Sequence, residues 1–161
     1  MNWMKKVAVA LVCLLPLGLQ AAKVDTLQVK SPSMNKSIEV VVVSPDMAAT
    51  EACPVIYLLH GYGGNARTWV GIKPDLPKIA DEKGIFFVCP DGKNTWYWDS
   101  PLNADVRYET FISDELVKYV DSHYKTVADR KGRAITGLSM GGHGAMWNGL
   151  RHSDVFSAAG S

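Results

Sequence analysis

The pattern of apolar and polar positions divides the chain into alternating short strands and helices. Residues 24–30 (Val-Asp-Thr-Leu-Gln-Val-Lys) alternate, which predicts a half-exposed strand. Ser31–Lys36 is a polar turn, and Ser37–Val43, rich in β-branched residues, predicts a second strand that closes an antiparallel hairpin. Ser44–Ala52 is a loop. Two near-continuous apolar runs follow, Pro54–Leu59 and Gly84–Cys89. Runs of that kind belong to strands buried on both faces of a parallel sheet. Between them Asn65–Lys83 predicts a helix with Ile79 and Ala80 facing inward, irregular early on because of Pro74 and Pro77. Over Tyr108–Tyr124 the residues Ile112, Leu116, Val120 and Tyr124 form one stripe, with Asp114, Glu115, Lys118 and Asp121 off it, which predicts an amphipathic helix. Thr126–Arg133 is a charged turn. Ala134–Thr136 predicts a further strand, residues up to Arg151 a helix, and Val155–Ala159 a last strand. Strands alternating with helices give an α/β fold with a largely parallel sheet.

The candidate chemistry sits at two glycine-rich breaks. Gly137-Leu138-Ser139-Met140-Gly141 fits G-x-S-x-G between a predicted strand and a predicted helix. Glycines two residues either side let the turn close tightly, so that the serine hydroxyl projects clear of the sheet. The helix start behind it offers backbone N–H groups and a positive dipole end to a developing oxyanion. The second break, His60-Gly61-Tyr62-Gly63-Gly64, lies at the C-terminal end of a buried strand, where open α/β sheets bind ligands. Two readings stand for it, an oxyanion loop or a tight turn without chemistry. Two readings also stand for Trp96, Tyr97 and Trp98 in the loop 93–105: walls of a substrate cleft, or packing that holds the loop down. His123 reads as a capping or surface residue.

Composition adds bounds. The chain has 161 residues, 47% apolar and 20% charged, as in an ordinary globular domain. A net charge of +1 gives no reason to expect nucleic acid as a partner. The first residues carry Lys5-Lys6, an apolar stretch from Val7 to Leu19 and a small residue at Ala21. That is the form of an export signal over residues 1–21, with the domain over 22–161. The thirteen residues from Val7 to Leu19 are too few to span a bilayer, so no membrane anchor is expected after cleavage, and the mature protein is expected in the periplasm or outside the cell. Cys53 and Cys89 would then meet an oxidising compartment. Their places at opposite ends of neighbouring parallel strands put them roughly 15 Å apart, too far for a disulfide. The sequence holds no H-E-x-x-H, no C-x-x-C and no dinucleotide fingerprint, so no metal or cofactor is expected.

The chain resembles the Putative esterase family of α/β hydrolases, which includes esterase D (S-formylglutathione hydrolase), acetyl and feruloyl esterases and mycolyltransferases. The resemblance rests on Leu58–Gly64, Trp96-Tyr97, Tyr108-Glu109-Thr110, Asp121–Tyr124, Asp129-Arg130 and Gly137–Gly142. It implies an α/β-hydrolase fold with Ser139 as nucleophile, the backbone N–H groups of Tyr62 and Met140 as oxyanion hole, and His60, Trp96 and Tyr97 lining the substrate cleft. The implied activity is hydrolysis of small-molecule or carbohydrate esters through an acyl-enzyme. An acyltransferase of the same fold and a non-catalytic binding module are the alternatives, and a peptidase is a more remote one. In this fold the triad runs Ser, acid, His. Only 22 residues follow Ser139, so the acid and histidine are expected beyond Ser161. The expectation is therefore an N-terminal portion, truncated after the elbow helix and the next strand, that barely turns over alone.

Overall fold

A computed structural model describes residues 22–161; the expected export signal lies outside them. Six strands form one sheet: β1 (Lys23–Ser31), β2 (Lys36–Ser44), β3 (Val55–Leu59), β4 (Phe86–Pro90), β5 (Arg133–Gly137) and β6 (Ala158–Ala159), in the order β1-β2-β4-β3-β5-β6. β1 and β2 form the antiparallel hairpin, and β2 runs antiparallel to β4. β4, β3, β5 and β6 are mutually parallel.

Alternation along the strands sends side chains to two cores. Val40, Val42, Tyr57, Leu59, Phe86 and Val88 pack on one face with Phe111, Ile112, Leu116, Val120 and Ala145. Val41, Val43, Leu58, Phe87 and Cys89 pack on the other with Leu76 and Ala80. Covering both faces is what the continuous apolar runs require. The second face is covered by α1 (Thr68–Ile72) and α2 (Leu76–Lys83), separated where Pro74 interrupts the helix. The first face is covered by a helical run over 108–123, α3 (Tyr108–Thr110) through α4 (Val117–His123), and by α5 (Met140–Arg151).

Three local expectations change. Gly84 does not open β4; at φ 62° it caps α2, its N–H bonded to the Ala80 carbonyl. Phe111–Leu116 is a π-helical turn inside the long helix. The wider turn lets Phe111, Ile112 and Ser113 all point inward, and Ser113 Oγ reaches Asn148 Oδ1 at 2.8 Å. The last strand is only Ala158–Ala159, because the N–H groups of Val155 and Phe156 both bond to the His152 carbonyl in a turn. Phe156 is instead buried edge-on against Tyr57.

Candidate active site

The register pairs Leu59 with Gly137, and the Leu138 N–H continues the ladder to the Leu59 carbonyl at 3.3 Å. β3 and β5 therefore end at the same level, side by side. From there the chain leaves β3 towards β4 on one side, and β5 towards β6 on the other. Neighbouring strands whose connections diverge open a crevice at their C-terminal ends. Both glycine-rich breaks lie in it.

Ser139 occupies the tip of the turn at φ 53°, ψ −118°, a conformation that L-residues rarely adopt. Its side chain is exposed. Gly137 makes the turn possible: a Cβ on it would lie 2.4 Å from the Gly141 carbonyl carbon, a backbone atom, whereas one on Gly61, in the loop after β3, would meet only the movable end of Leu138, Cδ1 at 2.6 Å. That added Cβ on Gly61 would lie 3.5 Å from Ser139 Cβ, so the loop after β3 runs close beside the serine. Among the described residues, the N–H groups of Tyr62 and Met140 meet no acceptor. The first turn of α5 carries no acidic residue, so its positive end faces the crevice unopposed.

The loop after β3 is tied down from below. His60 is 1% exposed; its Nδ1 donates to the Gly61 carbonyl at 2.7 Å, and its Nε2 accepts the Gly92 N–H at 3.0 Å. Those bonds use both ring nitrogens, so Asp91, 3.5 Å from Nε2, is a neighbour rather than an ion-pair partner. Burial alone would push the Asp91 carboxyl up; with His60 beside it and Lys93 donating both its ammonium (2.6 Å) and its N–H (2.9 Å), it is held well below the carboxylate range. We attribute the lowering to Lys93, given the His60 geometry. The Gly63 N–H bonds to Asn94 Oδ1 at 2.7 Å.

Of the cleft residues expected from sequence, Trp96 stands 46% exposed; Tyr62, whose N–H is the expected oxyanion donor, is 68% exposed. His60 and Tyr97 are not: both are fully buried and pack beneath the crevice. Their burial follows from the hydrogen bonds just given for His60 and from the Tyr97 hydroxyl, which donates to the His60 carbonyl at 3.1 Å.

The remaining histidines bond elsewhere. His143 Nδ1 donates to the Trp96 carbonyl at 3.1 Å, with its ring stacked on Trp147. His123 stacks on Tyr119 at the surface. His152 Nε2 donates to Glu109 at 2.9 Å. Glu109, named in the sequence only within Tyr108-Glu109-Thr110 and given no role there, also accepts from Trp147 Nε1 (2.7 Å) and Arg151 Nε (2.8 Å). It anchors the long helix to the end of α5. Ser139 Oγ has no hydrogen-bond partner among the described residues, none of whose helices is long and apolar enough to cross a membrane.

A family model described as Putative esterase matches residues 31–161. An esterase of Mycobacterium tuberculosis is 29% identical over 141 residues, covering 83% of this chain and 30% of that protein. An acetyl esterase of Caldicellulosiruptor saccharolyticus is 31% identical over 108 residues, 66% of this chain and 40% of that protein. Among solved structures, a ferulic acid esterase superposes with a TM-score of 0.73 at 32% identity, over 86% of this chain and 61% of that one. An S-formylglutathione hydrolase from Agrobacterium tumefaciens gives 0.75 at 25% identity, over 86% and 57%. The sheet order and the two loops are those of an α/β-hydrolase fold, and the chain spans less than half the length of these curated relatives.

Proposed function

This chain belongs to the Putative esterase family, and from that premise we propose that it carries the nucleophile and oxyanion loops of an exported serine ester hydrolase. The observation that carries the reading is the position of Ser139: exposed, in a strained turn, at the start of α5 and against the Gly61–Tyr62 loop, with two unengaged N–H groups nearby.

In the proposed reaction a histidine base takes the Ser139 Oγ proton as the oxygen attacks an ester carbonyl. The tetrahedral oxyanion receives the N–H groups of Tyr62 and Met140, each worth on the order of 2.7–4 kcal/mol in the transition state. Collapse breaks the bond to the alcohol, which leaves with the proton from the base, and an acyl-serine remains. Water, deprotonated by the same base, resolves it. His60 is buried with both ring nitrogens bonded, and the Ser, acid, His order of this fold supports a base supplied by polypeptide beyond Ser161. The names of the acetyl and ferulic acid esterase relatives support esters of small carboxylic acids as substrates; a carbohydrate alcohol is part of the proposal.

The test compares hydrolysis of a nitrophenyl acetate by this chain, by a longer natural form, and by the longer form with Ser139→Ala. Activity confined to the longer form and lost in Ser139→Ala is expected. Full activity in the 161-residue chain would overturn the supplied base, and undiminished activity in Ser139→Ala would overturn the mechanism. Adding an alcohol acceptor and following the product separates hydrolysis from acyl transfer. For export, the intact mass of the mature protein should lack the residues up to Ala21; a product retaining Met1 would refute cleavage.

A further inference from the structure

We propose that Tyr97 is a positioning residue that holds the loop after β3 and α5 in one fixed relation, with Asn94 as its exposed auxiliary. Its catalytic meaning rests on the reading of Ser139, Tyr62 and Met140 given above.

Tyr97 is completely buried and adopts φ 58°, a conformation that only a strongly determining environment holds. Its hydroxyl donates to the His60 carbonyl, the first carbonyl beyond β3 and the one before Gly61. Burial pushes its ionisation above the usual tyrosine range, so it remains a donor. At its other end, the Tyr97 carbonyl accepts from Asn148 Nδ2 on α5 at 3.0 Å. The ring fills the space between the turn after β4 and α5. A Cβ on Gly92 would lie 2.0 Å from the ring, and one on Gly144 2.5 Å from it. One side chain thus touches the strand end that feeds the oxyanion loop, the turn carrying Gly92, and the helix that starts at Ser139.

The Gly92–Tyr97 segment also reaches the loop directly, through Gly92 N–H to His60 Nε2 and Asn94 Oδ1 to the Gly63 N–H. Gly63 follows Tyr62, whose N–H must aim at the oxyanion. Oxyanion donors work within a narrow distance range, and displacement by about 1 Å costs on the order of 100-fold in rate. Tyr97 itself is sealed from substrate, so its effect falls on geometry.

The experiment uses the full-length protein, isotope-labelled, with Tyr97→Phe, Asn94→Ala and, as a control on the outer face of α5, Leu150→Ala. Tyr97→Phe keeps the ring and removes one donor. It should shift the backbone amide resonances of Tyr62, Gly63 and Met140 and lower kcat roughly tenfold with KM within about twofold. Asn94→Ala should shift Tyr62 and Gly63 but not Met140, and Leu150→Ala none of the three. A folded Tyr97→Phe protein with Tyr62 and Met140 unmoved would overturn the proposal, as would loss of activity through KM alone. Should Tyr97→Phe not fold, unmoved Tyr62 and Gly63 amides in Asn94→Ala would overturn it. If the parent protein hydrolyses no ester, the esterase reading falls, while the amide comparison still decides the coupling.

Discussion

Gly141 stands against the end of β3 so closely that a Cβ on it would lie 2.2 Å from the Leu59 carbonyl oxygen and 2.7 Å from that of His60. Both are backbone atoms of a central strand or its continuation, so neither can move aside. Elsewhere in a helix, Gly→Ala gains up to about 1 kcal/mol from propensity. Here the clash decides the sign, and Gly141→Ala should destabilise by about 3 kcal/mol or more. At Gly71, in α1, nothing lies within 4 Å of the added Cβ, so Gly71→Ala should be neutral or slightly stabilising. Urea midpoints of the two variants check the contrast.

Ser139 holds its backbone at φ 53° without the freedom of a glycine. Strain of this kind costs of order 1–3 kcal/mol. Ser139→Gly relieves it, less the roughly 0.5–1 kcal/mol of extra unfolded-state entropy that glycine brings. Ser139→Ala removes the same hydroxyl and relieves nothing. Ser139→Gly should therefore melt higher than Ser139→Ala, by about 2–4 °C. Equal melting temperatures would mean that the turn is unstrained in solution.

The hairpin, the two central strands and both glycine breaks were legible because each is written in local pattern: alternation, a continuous apolar run, or glycines at fixed offsets. What was not legible depends on distant partners. Glu109 looks like any polar helix residue until Trp147, Arg151 and His152, 38 to 43 positions away, converge on it. Tyr97 lies in an aromatic run that reads equally as cleft wall or as packing. Its burial is decided by Gly92, Gly144 and His60, which only the completed sheet brings together. The π-helical turn at Phe111–Leu116 leaves the spacing of the apolar stripe unchanged, so periodicity could not reveal it.

Cys53 and Cys89 are free and buried. Val55 pairs with Phe86 in the parallel ladder, so Cys53 precedes that level by two residues and Cys89 follows it by three. Burial pushes the Cys89 thiol up to about 12, and burial with the nearby Glu51 raises Cys53 as well. Thiol reagents attack the thiolate. Peptide mapping after iodoacetamide should show both unmodified in the native protein at neutral pH and both alkylated in urea. Native labelling of Cys89 would place it at the surface and contradict the sheet.

The Glu109 carboxylate carries a pH signature. Burial pushes it up, but hydrogen bonds from Arg151, Trp147 and His152 outweigh burial and hold it below its ordinary value of 4.5. A group lowered in the folded state contributes stability that is fully present above the unfolded value. That contribution is lost as pH falls through the folded value. Stability should therefore drop below about pH 4.5, as the protonated carboxyl gives up its charge-assisted bonds. Asp91, also lowered, adds to the same acid loss, so the wild-type slope alone does not isolate Glu109. Glu109→Gln does, because it keeps a carbonyl acceptor for Trp147 and titrates no proton. At neutral pH the variant should be less stable by roughly 1–2 kcal/mol. As pH falls through the folded value, the gap between variant and wild type should narrow, since wild type then carries a neutral side chain too. Urea midpoints of both proteins across that range decide it: a gap that stays constant would show that the carboxylate is not what binds the long helix to α5.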